Sequence, residues 1–274
     1  MLLLQTKNAH PRDVRIERKQ DTHGYNVTGL ITPVNFISVT TWAGSLFAKF
    51  DSDAIIAKMM NGKNFHEHEC FGMTPTEIKA HWAEKGRLAA DMGTALHDRI
   101  ELFMNLPPPN KTQLNFYTHL DLLQQEEQKK KEEEEEEVVE WKYFLNYLRD
   151  TPTFIPFRTE WMVFDEDWGI AGCIDMVYLN EDGTLSIYDW KRCSNLSTDS
   201  KPWDKPCLAY DHIVDSKINH YAFQLNMYKA ILERKYGFVV RELVLVQLHP
   251  NNPSYQLWPL PDLSKEVSEL FQTK

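Results

Sequence analysis

The spacing of apolar and polar positions divides the chain into a helical first half and a strand-rich second half. The first thirty residues are dominated by charge and predict an irregular or loosely strand-like arm. Residues 51–61 read as a short helix, with Ile55, Ile56, Met59 and Met60 on one side. Thr74-Pro75-Thr76-Glu77 carries a helix-start signature: Thr74 as N-cap, Pro75 in the first turn, and Glu77 able to return a hydrogen bond to the cap. Helical periodicity then continues to about Asn105, with a break expected near Gly86, and Pro107-Pro108-Pro109 ends it. Residues 138–148 restore an amphipathic helix through Trp141, Phe144, Leu145 and Leu148.

After Pro152 the period shortens to two. Strands are predicted at 154–164, 170–179 and 184–190, the last two joined by the hairpin signal Asn180-Glu181-Asp182-Gly183. Residues 192–215 have no periodicity, and a loop of that length is uncommon unless it has a function. A strong helix follows at 216–236, closed by Gly237. The apolar run 238–248 suits a buried strand, 255–258 a further strand and 263–271 a last helix. This order predicts an α/β fold: a mixed central β-sheet flanked by helices, with an N-terminal helical extension. The expected division is 1–90 for an arm and helical extension packed on the core, and 91–274 for the core, with a charged insertion at about 126–137.

Composition adds few constraints. The 274 residues are 42% hydrophobic, enough for a substantial core. No apolar run nears the roughly 20 residues needed to span a bilayer, and Met1-Leu2-Leu3-Leu4 is too short for a signal peptide. A soluble intracellular protein without a membrane partner is expected. Cys70, Cys173, Cys193 and Cys207 show neither disulfide nor metal spacing, so free thiols are expected. The net charge is −10, but residues 126–140 hold nine Glu and three Lys and so account for −6 of it. Acids gathered for a metal also lower the formal charge, so this balance does not exclude a nucleic-acid partner.

Phosphodiester hydrolysis needs an activated water and neutralised charge on the phosphate. Carboxylates holding divalent cations supply both, and a nearby Lys can orient the water. Asp189-Trp190-Lys191 has these parts. On a strand, residues i and i+2 share a face, so Asp189 and Lys191 can serve one site while Trp190 points into packing and offers its carbonyl. Similar triplets at Glu77, Glu140, Asp199, Asp215 and Glu233 fall mostly on predicted helices or in the loop, where that shared face is lost. The other arm of the hairpin carries Asp175 between Ile174 and Met176, an acid costly to bury in ionised form unless something compensates it.

Four segments in order then resemble the RecB-type, lambda-exonuclease-like branch of the PD-(D/E)xK nucleases: Gly93-Thr94-Ala95-Leu96-His97, Glu160 ahead of Gly172-Cys173-Ile174-Asp175, Tyr188-Asp189-Trp190-Lys191, and Gln224-Leu225-Asn226-Met227-Tyr228. The resemblance spans about residues 93–237. It implies a restriction-endonuclease-like core and one or two Mg2+ or Mn2+ ions held by Asp175, Asp189, the Trp190 carbonyl, His97 and Glu160. It also implies a nucleophilic water positioned by Lys191, with Asp175, Asp189 and Glu160 as catalytic acids. Gln224 and Tyr228 would support the site or contact substrate. Gly93 would let its helix approach the sheet. Part of this branch carries an iron–sulfur cluster; no cysteine follows Gln224 here, so no cluster is expected.

Lys201, Trp203, Lys205 and Tyr210 in the long loop are candidates for holding a nucleic-acid strand by stacking and phosphate contact. The substrate expected is DNA, single- or double-stranded, with RNA possible; the oligomeric state is left open. The activity expected is an exonuclease acting in replication, recombination or repair, of the kind found in phages and large DNA viruses. An endonuclease on DNA or RNA, or a catalytically silent nucleic-acid-binding protein, are the alternatives.

Overall fold

A computed structural model describes residues 2–19, 24–107, 117–129, 138–197 and 206–272. Lys201, Trp203, Lys205 and the charged run at 130–137 lie outside the described residues.

The N-terminal arm is more regular than its charge suggests. It holds helix α1 (Leu3–Lys7) and a small antiparallel hairpin of β1 (Ile16–Arg18) and β2 (Tyr25–Val27). It is tied to the rest of the chain by polar contacts that no local pattern reveals. The Leu4 N–H donates to Asn105 Oδ1 at 2.9 Å, and the Arg158 guanidinium meets Asp13 at 2.7 Å. The short strand β3 (Ile37–Ser38) leads into α2 (Val39–Ser45), capped by the Ser38 hydroxyl, and then α3 (Ser52–Met60), capped by Asp51. Helix α4 (Pro75–Met104) begins with the full reciprocal capping box of Thr74 and Glu77. It runs through Gly86 without a break. One exposed glycine costs a helix only about 1 kcal/mol, and the neighbouring Glu84–Arg87–Asp91 pairs support the turn.

Helices α5 (His119–Lys129) and α6 (Val139–Asp150) precede the strands β4 (Ile155–Asp165), β5 (Ile170–Leu179) and β6 (Leu185–Lys191). Helix α7 (Lys217–Ile231) ends in one π-helical turn, Leu232–Tyr236, and Gly237 closes it at φ +74°. β7 (Val240–Gln247), β8 (Gln256–Pro259) and α8 (Ser264–Gln272) complete the chain. β5 pairs antiparallel with both β4 and β6, β6 runs parallel to β7, and β8 closes that edge antiparallel. The two residues of β3 pair parallel with the start of β5.

The sheet is buried on both faces, which gives the three-layer α/β arrangement expected. Trp161, Ile174, Val177, Leu185, Ile187 and Leu245 pack with α2, α7 and α8. Met176, Tyr178, Tyr188, Trp190, Val244 and Val246 pack with α4, α5 and α6. Strand alternation therefore sends Trp190 into the α4–α6 layer and leaves Asp189 and Lys191 on the pleat of Leu185 and Ile187, toward α7. No described helix is long and apolar enough to cross a membrane.

Candidate active site

The site forms where the sheet comes apart. β5 and β6 pair from Leu179–Leu185 to Met176–Tyr188, and the ladder stops there. The next partners in register would be Asp175 and Asp189. Two carboxylates directly opposite one another repel. Instead, the Trp190 N–H donates to Asp175 Oδ2 at 3.1 Å. The pleat of β5 also slips at this point. Ile174 packs on the α7 layer and Met176, two residues on, packs on the α4 layer.

α4 brings His97 to the same place. Its Nδ1 lies 3.5 Å from Asp175 Oδ2 and 3.8 Å from Glu160 Oε1, and its Nε2 lies 3.0 Å from the Trp190 carbonyl oxygen. Glu160 stands opposite Asp175 on β4, between the pairs Thr159–Met176 and Trp161–Ile174. It is the one non-glycine among the described residues with positive φ, at 41°. A left-handed conformation costs a residue with a Cβ about 1–2 kcal/mol, and such strain gathers at functional sites. Donor atoms of His97, Glu160 and Asp175 all lie within 4.8 Å of one another.

Behind them, the Lys191 ammonium is in direct contact with Asp189 and sits 4.8 Å above the Tyr221 ring. Gln224 Nε2 approaches Asp189 Oδ1 at 3.4 Å. Tyr228 is 2% exposed and fills a notch over Gly172. Gly93 is not where the helix nears the sheet: a Cβ there would meet nothing within 4 Å, and the residue lines an open groove. That groove, about 510 Å³, runs past Arg18, Thr94, His97, Glu101, Glu160 and Cys173. In the long loop, Tyr210 donates to the Glu266 carbonyl and packs near Phe223, which anchors it to α8 and α7.

The electrostatics are those of a site short of positive charge. Burial pushes the Asp175 carboxyl up, against the pull of His97 and Lys191. Burial raises Asp189 too, and the neighbouring Asp175 charge adds to it. Burial draws the Lys191 ammonium down, but Asp189 and Asp175 outweigh it and hold the proton firmly. His97 shows the same contest: burial lowers its pKa, Asp175 and Glu160 raise it, and the balance lies at about 9. Such clusters are frequent at functional sites.

A divalent cation fits this donor set. Carboxylate and carbonyl oxygens suit Mg2+ or Mn2+, and an imidazole nitrogen favours Mn2+ of the two. His97 Nε2 is hydrogen-bonded to the Trp190 carbonyl at 3.0 Å, so the ring nitrogen that faces the carboxylates of Glu160 and Asp175 and is open to an ion is Nδ1. Cys173 donates its S–H to Glu160 Oε2 at 3.2 Å, and burial keeps its thiol pKa well up, so it contributes a neutral donor rather than a thiolate. Sequence reasoning missed Cys173, Arg18 and Tyr221 as parts of this site. Tyr221 had a signal, since it lies one turn before Gln224 on the same helix face.

Against this geometry, the family model of the PD-(D/E)XK nuclease superfamily matches residues 74–268. The chain belongs to the PD-(D/E)XK nuclease superfamily. Members of this superfamily are hydrolytic nucleases that generally use divalent metal ions. No curated protein matches the sequence. Among solved structures, one titled "Crystal structure of SSO0001" is 14% identical, with a TM-score of 0.31, and the alignment covers 89% of this chain and 76% of that one.

Proposed function

We propose that this PD-(D/E)XK protein is a Mg2+- or Mn2+-dependent deoxyribonuclease that degrades DNA from its ends, in replication, recombination or repair. One observation carries the reading: His97, Glu160 and Asp175 converge from three elements where the β5–β6 ladder stops, with Lys191 on Asp189 next to them.

When bound, the cation neutralises phosphate charge and lowers the pKa of a coordinated water. His97, Glu160, Asp175, Asp189 and the Trp190 carbonyl would hold it. The rest falls to the chain itself. Lys191 donates hydrogen bonds from a fixed position and orients the attacking water toward phosphorus. Gln224 and Tyr221 keep Asp189 and Lys191 in place from α7, and buried Tyr228 props β5 from the same helix. Glu160, strained and half-exposed on the groove, faces the incoming strand. Arg18 lines the same groove.

Incubation with end-labelled linear DNA and with closed circular DNA, in Mg2+, Mn2+ or chelator, tests this. The expected result is metal-dependent loss of the linear form alone. Nicked circles would mean an endonuclease, cleavage of RNA in preference would shift the substrate, and binding without cleavage would point to a catalytically silent binding protein.

A further inference from the structure

A second group of metal-binding side chains lies outside the nuclease centre. Glu69 and Cys70 are in the segment that leads from α3 to α4, and His81 is on the second turn of α4. Their donor atoms all lie within 4.8 Å of one another. We propose that Glu69, Cys70 and His81 bind a borderline-soft divalent cation of the Zn2+ class, and that this ion staples the connecting segment to α4.

A buried cysteine in an apolar cluster is ordinary by itself. Cys70 differs in what shares its position. An imidazole and a carboxylate, reached from two different elements, converge on its sulfur. Thiolate, imidazole and carboxylate form a typical zinc ligand set, and thiolate disfavours Mg2+. Zn–S of about 2.3 Å and Zn–N of about 2.0 Å place tetrahedral ligand atoms roughly 3.5 Å apart, so a small inward turn of the side chains closes the site. One thiolate and one carboxylate balance the two charges of the ion, and solvent takes the fourth position.

Neighbouring groups hold the ligands in place. The Cys70 N–H donates to His68 Nδ1 at 3.1 Å, which fixes the backbone that carries the thiol. Lys85 donates to both Glu69 oxygens, at 2.8 and 2.7 Å, and can keep one while the other turns to the metal. The location also has a need for such a staple. The local core holds only Ile56, Cys70 and Ile78 as fully buried apolar residues, with Met59, Met60, Phe65, Met73 and Trp82 partly covered. Metal-binding free energy at such a thinly packed cluster adds directly to the free energy that holds it folded. This inference does not rest on the nuclease reading.

The test is a Co2+ titration of the full chain after chelator treatment, on an Asp189→Asn background that weakens the nuclease centre. The expected result is a saturable thiolate-to-cobalt charge-transfer band, absent in Cys70→Ser and in His81→Ala. Zn2+ should bleach the band and raise Tm by several degrees, and His81→Ala should remove that rise. The His81 variant leaves Cys70 in the small core, so misfolding does not confuse the result. A missing band, or a band that persists in Cys70→Ser, overturns the proposal.

Discussion

Asp175 and Asp189 are partners in register that the β5–β6 ladder leaves unpaired, because the Trp190 N–H turns to the Asp175 carboxylate instead. The gap this opens in the sheet is where His97, Glu160 and Lys191 gather. Asp189 and Lys191 should therefore matter for chemistry more than for folding. Asp189→Asn and Lys191→Ala should each lower metal-dependent DNA cleavage by roughly 10²–10⁴-fold, the range of a positioned acid–base or charge-stabilising group. Circular dichroism should show both variants folded. Full activity in either purified variant would remove it from the site.

The charge imbalance predicts a pH dependence. The folded-state pKa of His97 lies at about 9 against an ordinary 6.5. Its contribution to the metal-free protein is therefore complete below about 6.5 and is lost as pH rises through 9. Asp175 and Asp189 are raised in the folded state, so the native state holds more protons than the unfolded chain, and their ionisation also weakens the fold as pH rises. A cation needs these groups deprotonated. The gain in Tm on adding Mn2+ should thus grow between pH 6.5 and 9. A gain that is flat or shrinks with pH across that window would contradict the charge assignment.

Glu160 should show a trade between stability and metal binding. Glycine accepts φ of +41° without the Cβ clash. Glu160→Gly should leave Tm in chelator unchanged or higher by a few degrees, while the Mn2+-dependent rise becomes smaller. A variant that loses stability in chelator and keeps the Mn2+ response would show that the conformation is not strained.

The notch between β5 and α7 makes a further prediction. A Cβ on Gly172 would lie 2.6 Å from Tyr228 Cε1 and 2.8 Å from Val39 Cγ2. Gly172→Ala should cost about 1–3 kcal/mol by overpacking, measured by urea unfolding. Tyr228→Leu should recover part of that loss in the double variant. Simple additivity of the two changes would mean that the contact is not the cause.

Much of this architecture is readable in the chain. β5, β6 and α4 lie within a residue or two of their predicted bounds, and so does α7 once its π-helical turn to Tyr236 is counted, because capping, Gly183 and Gly237 mark their ends chemically. The Asp189 triplet stands out because only a strand gives i and i+2 one face. Other features depend on tertiary contact and leave no local trace. β3 is two residues whose pairing exists only through β5, and the ordered arm relies on Asp13, Asn8 and Asn105. Gly93 suggested close packing and instead faces a groove, since a glycine's sequence position does not reveal which side of it is open. The slip of pleat at Asp175 and the left-handed Glu160 are likewise invisible in periodicity, which assumes an unbroken strand.

The most direct test of the metal assignment is a crystal structure with Mn2+ soaked in and anomalous data collected. One strong anomalous peak, or two close together, should lie among His97, the Trp190 carbonyl and the carboxylates of residues 160, 175 and 189. Well-ordered density for these side chains with no anomalous peak among them, at Mn2+ concentrations that support cleavage, would contradict it.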